Sequence, residues 1–135
     1  MKKKAGFTLS ELLIVVAIIG VLVAVSIPIF TQQLHKAEVA ADWANVRSYY
    51  SQLQYDFMET GEVNNTYLNE WDGNGNNGLT TISLSGQTVK LKAGKLWIAP
   101  EDNNGGYNLW YCCNMGHTDC ILPLPGDSTK TGEGK

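Results

Sequence analysis

Two groups of residues in this 135-residue chain have types and spacings that could do chemistry. The first is Glu11 with the peptide bond Gly6-Phe7. Glu11 sits five residues into the run 7–30, which otherwise carries no charge. An ionised carboxylate at the centre of a membrane-spanning helix costs about 2.5 to 3.5 kcal/mol on insertion scales. Glu11 must therefore lie off-centre or have a partner. The partner the sequence suggests is a free N-terminal amine, made by cutting the chain between Gly6 and Phe7. The second group is Cys112, Cys113, His117, Asp119 and Cys120, all within nine residues. Thiolates and imidazole are zinc ligands. The usual Cys-x-x-Cys spacing is absent, however, and adjacent cysteines rarely hold one ion, so no metal or cofactor is expected. The two histidines, His35 and His117, accompany no nucleophile motif and no phosphate loop. The chain reads as a non-enzyme.

The 24 residues 7–30 are long enough to cross a bilayer as one helix. Lys2, Lys3 and Lys4 precede them and keep that end cytoplasmic, which places the rest of the chain outside. Three cysteines in an exported domain point to a disulfide. Ala17, Gly20 and Ala24 fall on one helical face, and small residues at such spacing let helices approach closely in lipid. Pro28 lacks an N–H and crowds the carbonyl of Ala24, so a kink or loosening is expected there.

Beyond Pro28 the helix should continue to about Glu59. Val39, Trp43, Val46, Tyr50, Leu53 and Phe57 recur at helical spacing and form a stripe that packs on a sheet. His35, Glu38, Asp42, Arg47 and Gln54 are assigned to the opposite, solvated side. Gly61 is the expected stop. Residues 60–78, with four Gly and six Asn, read as a loop. Asp72, Asn74 and Asn76 match the opening of a calcium loop, but Asn77 stands where Gly is needed and Ser83 where Glu is needed. Thr80 to Leu84 and Thr88 to Lys92 form one hairpin about Ser85-Gly86-Gln87. Leu96 to Ala99 and Tyr107 to Cys113 form a second with a longer loop. The fold class is α+β: one long N-terminal helix, then about four antiparallel strands. The Gly-rich tail 126–135 is expected to be mobile.

Gly6-Phe7-Thr8-Leu9-Ser10-Glu11, behind a short basic leader and ahead of an apolar run containing Pro28, resembles the type IV pilins and their type II secretion pseudopilin relatives. The resemblance implies that a prepilin peptidase removes residues 1–6 and that the new Phe7 amine is methylated. It implies a membrane and filament-core helix half at 7–30. The globular domain is then 31–135, including the helix half 31–59. It also implies a homo-oligomeric helical filament raised on a pilus assembly platform. Glu11, Phe7, Ala17, Gly20, Ala24 and Pro28 would be its assembly residues, with Pro28 marking a stretch that melts in the filament. A disulfide from Cys120 to Cys112 or Cys113 is the family's usual C-terminal staple. The implied function is a pilus subunit supporting adhesion, motility or DNA uptake, made as a single-pass precursor and displayed at the cell surface.

Without the leader lysines the chain has 13 acids against 7 Lys and Arg, near −6. An acidic exported domain has no overall basic field for nucleic acid, so no specific nucleic-acid partner is expected. Two alternatives share parts of this pattern. A pseudopilin of a secretion or competence machine shares every N-terminal feature. A monomeric anchored binding domain shares the span but has no use for Glu11.

Overall fold

The computed structural model describes residues 6–101 and 105–124. Leader residues 1–5, the tip of the second hairpin at 102–104 and residues 125–135, which include the tail 126–135, lie outside the described residues. The elements are α1 (Leu9–Thr60), a 3-10 turn Asn65–Tyr67, β1 (Thr81–Leu84), β2 (Gln87–Lys90), β3 (Gly94–Pro100), β4 (Tyr107–Cys113), a 3-10 turn Thr118–Cys120 and β5 (Leu122–Leu124). One long helix followed by antiparallel strands is the α+β class. The chain divides into two units, Met1–Lys36 and Ala37–Lys135.

In the first unit α1 is apolar all round. Its aliphatic side chains from Leu12 to Phe30 are exposed. A helix of that kind needs lipid or other helices around it, and it meets the length and composition of a membrane span. The helix runs through Pro28 without interruption. The Ser26 hydroxyl donates to the Leu22 carbonyl at 2.7 Å, and the Thr31 hydroxyl to that of Pro28 at 3.0 Å.

In the second unit α1 buries Val39, Asp42, Val46, Tyr49 and Leu53. Spacings of 3, 4, 3 and 4 make these the centre of the buried face. Trp43, Tyr50 and Phe57 pack beside them and are partly exposed. They meet Leu96, Ile98, Tyr107, Leu109 and Tyr111 from the sheet. The helix ends where expected: Gly61 takes a φ of 74°, and its N–H returns to the Phe57 carbonyl at 2.7 Å.

Two assignments to the solvated side are corrected. Gln54 is half-buried, and its side-chain N–H donates to the Tyr107 carbonyl at 3.4 Å. Asp42 does not face solvent; it is 0% exposed. Its carboxylate accepts from the backbone N–H groups of Lys92 and Ala93, both at 2.8 Å, and from the Tyr111 hydroxyl at 2.7 Å. Lys92 and Ala93 lie between the end of β2 and the start of β3. Their N–H groups have no ladder to join, and the helix supplies the acceptor. A buried carboxylate is tolerable when it is hydrogen-bonded in this way.

The strands also differ from the expected single sheet of four. β1 and β2 form a hairpin closed by Ser85 and Gly86, both at positive φ, as a two-residue turn requires. β3, β4 and β5 form a separate three-stranded antiparallel sheet in that order. The hairpin does not join it because the loop takes β3's other edge. Leu79 and Leu96 exchange backbone bonds at 2.8 and 2.9 Å, and Asn69 and Ile98 at 2.8 and 3.0 Å. β5 went unrecognised because it is three residues long with Pro123 at its centre. Pro is admissible there because β5 pairs with β4 and lies at the end of the strand order.

Burial first, and the hydrogen bond to Asp42 second, hold the Tyr111 phenol protonated well above its ordinary range. An unfolded tyrosine ionises near pH 10. The folded chain therefore holds a proton that the unfolded chain releases. The stability this provides is complete below pH 10 and is lost as pH rises beyond it. We expect the urea midpoint of the mature chain to fall from about pH 10 upward, and Tyr111→Phe to flatten that fall. An unchanged slope in the variant would remove Tyr111 as its source.

Candidate functional site

The first candidate site is the head of α1. Thr8 precedes the helix and Glu11 is its third residue. The Glu11 N–H donates to the Thr8 hydroxyl at 3.3 Å, and the Thr8 N–H donates to Glu11 Oε2 at 3.0 Å. This is a reciprocal capping box, which satisfies two N–H groups otherwise left open at a helix start. The carboxylate also lies at the positive end of the helix dipole. Both effects lower the cost of carrying Glu11 at the head of an apolar helix. The signal was in the sequence, as Thr8-x-x-Glu11 before an apolar run. Both residues follow the Gly6-Phe7 bond, so removal of 1–6 leaves the cap in place. Phe7 lies ahead of the helix and is 93% exposed.

Further along the same unit, a Cβ built on Gly20 meets nothing within 4 Å. Glycine inside a helix costs about 1 kcal/mol relative to alanine. Nothing within its own chain requires a glycine at position 20. Ala17 and Ala24 lie at spacings of three and four from it, on one helical face.

The second candidate site lies at the C-terminal end of β4. Side chains alternate along the strand: Tyr107, Leu109, Tyr111 and Cys113 are buried, while Asn108, Trp110 and Cys112 are half-buried. Adjacent Cys112 and Cys113 therefore point to opposite faces. Cys113 faces inward, where Cys120 arrives on the 3-10 turn Thr118–Cys120. Sγ of Cys113, Sγ of Cys120 and a ring nitrogen of His117 lie within 4.8 Å of one another. His117 Nδ1 is 3.9 Å from the Cys120 sulfur. The turn is held by Trp43, whose indole N–H donates to the Cys120 carbonyl at 3.3 Å. Burial first, then the neighbouring Cys113 thiol, pushes the Cys120 thiol up to about 11.

Cys112 lines an open groove of about 390 Å³ that Trp71, Lys95, Trp97, Cys113 and His117 also border. Trp71 leans on Trp97 with ring centres 4.7 Å apart. In the loop above it, Asp72 Oδ1 accepts from the N–H groups of Asn74 and Gly75 at 3.0 and 2.7 Å. That oxygen closes the turn.

A capped Glu11 at the head of an apolar helix of membrane-spanning length, in a chain that also holds a helix-on-sheet domain, is the layout of a pilin-like protein. The chain belongs to the type IV pilin family. The family model described as the prokaryotic N-terminal methylation motif matches residues 1–27. The chain is similar to the type IV narrow pilus major component PilA5 of Thermus thermophilus, 36% identical over 91 residues, covering 65% of this chain and 78% of that protein. It is 49% identical over 116 residues to the fimbrial protein EcpB of Eikenella corrodens. That match covers 86% of this chain but only 62% of the Eikenella protein. A fimbrial protein of Neisseria meningitidis is 27% identical over 132 residues, covering 79% of this chain and 71% of that protein. No solved structure matches the chain significantly.

Proposed function

We propose that the chain is the structural subunit of a type IV pilus filament. A prepilin peptidase cuts between Gly6 and Phe7, the Phe7 amine is methylated, and the mature subunit waits in the membrane as a single-pass protein. Assembly moves apolar helices from lipid into a helical bundle. That transfer exchanges one apolar surrounding for another, so close packing and polar pairs decide the register. Glu11 pairs with the Phe7 amine of a neighbour. Gly20, with Ala17 and Ala24, offers a smooth face for a second helix. Pro28 is the point at which the helix opens in the filament. The domain from residue 31 onward forms the outer surface, where adhesion, motility or DNA uptake would be exercised. Cys113, not Cys112, joins Cys120 in a disulfide that closes the C-terminal turn onto β4. No step in this function calls for catalysis.

The observation that carries the reading is the juxtaposition at the head of α1. A carboxylate is the fifth residue after the Gly6-Phe7 bond, at the start of a helix whose apolar side chains are exposed. Intact-mass and terminal-peptide mass spectrometry of sheared surface filaments tests it. The mature chain should begin at methylated Phe7. An intact Met1, or a chain beginning at Ile27 as an ordinary signal cleavage would leave it, would overturn the reading.

A further inference from the structure

We propose that, in its dithiol form, the cluster of Cys113, His117 and Cys120 is a binding site for a thiophilic divalent cation such as zinc, and that formation of the Cys113–Cys120 disulfide expels the ion. The proposal rests on the pairing of these two cysteines and concerns the state before that bond exists.

Three observations carry it. The donor atoms are already gathered: two sulfurs and one imidazole nitrogen lie within 4.8 Å of one another. Ligands at about 2.0 to 2.3 Å around a tetrahedral ion sit within such a distance of each other, so only small side-chain adjustments are needed. Next, the donors are fixed by backbone rather than by loose loops. Cys113 ends β4, and the Gly116 N–H returns to its carbonyl at 3.1 Å. Cys120 closes a 3-10 turn, with its own N–H on the His117 carbonyl at 3.1 Å and its carbonyl on Trp43. Finally, the charges balance. Both cysteines are buried while His117 is exposed. Two buried thiolates side by side are costly, and a dication between them leaves a neutral site. His117 at the surface provides the way in. Cys-x-x-x-His-x-x-Cys is not the common zinc spacing, which is why the sequence did not point to it. The 3-10 turn is what brings its ends together.

Loss of the ion on oxidation balances as follows. The two metal-bound thiolates form an S–S bond and give up two electrons to the disulfide of an exported thiol oxidant. That oxidant takes two protons and becomes a dithiol, and the cation leaves hydrated.

The test uses the mature full chain in detergent micelles, reduced and then freed of reductant under nitrogen. Zinc is titrated against a chromophoric chelator. Cobalt substitution reports thiolate ligation and tetrahedral geometry by its absorption. We expect one equivalent of zinc, thiolate-to-cobalt absorption, and release of the ion when the disulfide is formed. Removal of an outer-shell partner weakens zinc sites by about 10- to 100-fold. His117→Ala, which removes a direct ligand, should weaken this one by at least about tenfold. Cys112→Ser should leave binding unchanged, because Cys112 faces away. Failure of the reduced chain to bind zinc would overturn the proposal. So would equal loss in Cys112→Ser, or no loss in His117→Ala, either of which would mark adventitious binding to thiols. Peptide mapping of the oxidised chain reads the Cys113–Cys120 bond separately, so the disulfide can stand or fall without the metal site.

Discussion

Glu11→Gln and Glu11→Ala should both reach the membrane at normal levels, and both should fail to build filaments. The two variants separate two roles of one carboxylate. In the single chain Glu11 closes the capping box with Thr8. Glutamine can fill the same position in a capping box, so Glu11→Gln should keep the helix start. It cannot supply a negative charge. If the charge is what an incoming Phe7 amine requires, Glu11→Gln fails as Glu11→Ala does. Breaking one side of a buried ion pair costs about 3 to 5 kcal/mol. That corresponds to roughly a hundredfold to a few thousandfold at each subunit added. The readout is the yield of sheared filaments from cells producing only the variant. Wild-type yield from Glu11→Gln with loss in Glu11→Ala would make the carboxylate a helix cap and not an assembly contact. Wild-type yield from both would mean that filament assembly does not use the carboxylate.

The largest effect on stability should come from Asp42. Asp42→Ala leaves the buried Ala93 N–H and Tyr111 hydroxyl, and the part-buried Lys92 N–H, without an acceptor. An orphaned buried donor costs about 1 to 3 kcal/mol. A total of about 3 to 5 kcal/mol places the substitution among the most damaging single changes. Tyr111→Phe removes only one of the three donors and should cost about 1 to 2 kcal/mol. Urea unfolding of the mature chain in micelles, followed by tryptophan fluorescence, gives both values. A loss below about 1 kcal/mol in Asp42→Ala would mean that water takes over the carboxylate's role.

The helix was legible because its signals are local. Its apolar run, its stripe from Val39 to Phe57 and its stop at Gly61 depend on residues close in sequence. The Ser85-Gly86 turn was legible for the same reason. Asp42 was misplaced because residue type outweighed position. It lies three residues after Val39 and four before Val46, on the line those two define. Its acceptors' partners are 50 to 69 residues away, beyond any local pattern. The division into two sheets was hidden for a related reason. A loop rich in Asn and Gly does not look like a strand, yet Asn69 and Leu79 occupy an edge of β3 as strand residues would. At the candidate sites, the composition of the cysteine cluster was visible. Which sulfur faces which was not, because that depends on where β4 begins its alternation.

That alternation bears on how the exported chain matures. While the chain is unfolded, Cys112 and Cys113 are equivalent suitors for Cys120, since the loops they would close differ by one residue. Once β4 pairs with β3, the competition ends, because one thiol is turned into the core and its neighbour into the groove. Under the proposed Cys113–Cys120 bond, the order of two events would set the yield. Chains that pair their strands before meeting an oxidant would form a single product. Chains oxidised first would divide between two, and the wrong half would have to exchange its bond before β4 could settle. Strand pairing would then act as the proofreader of that sulfur chemistry.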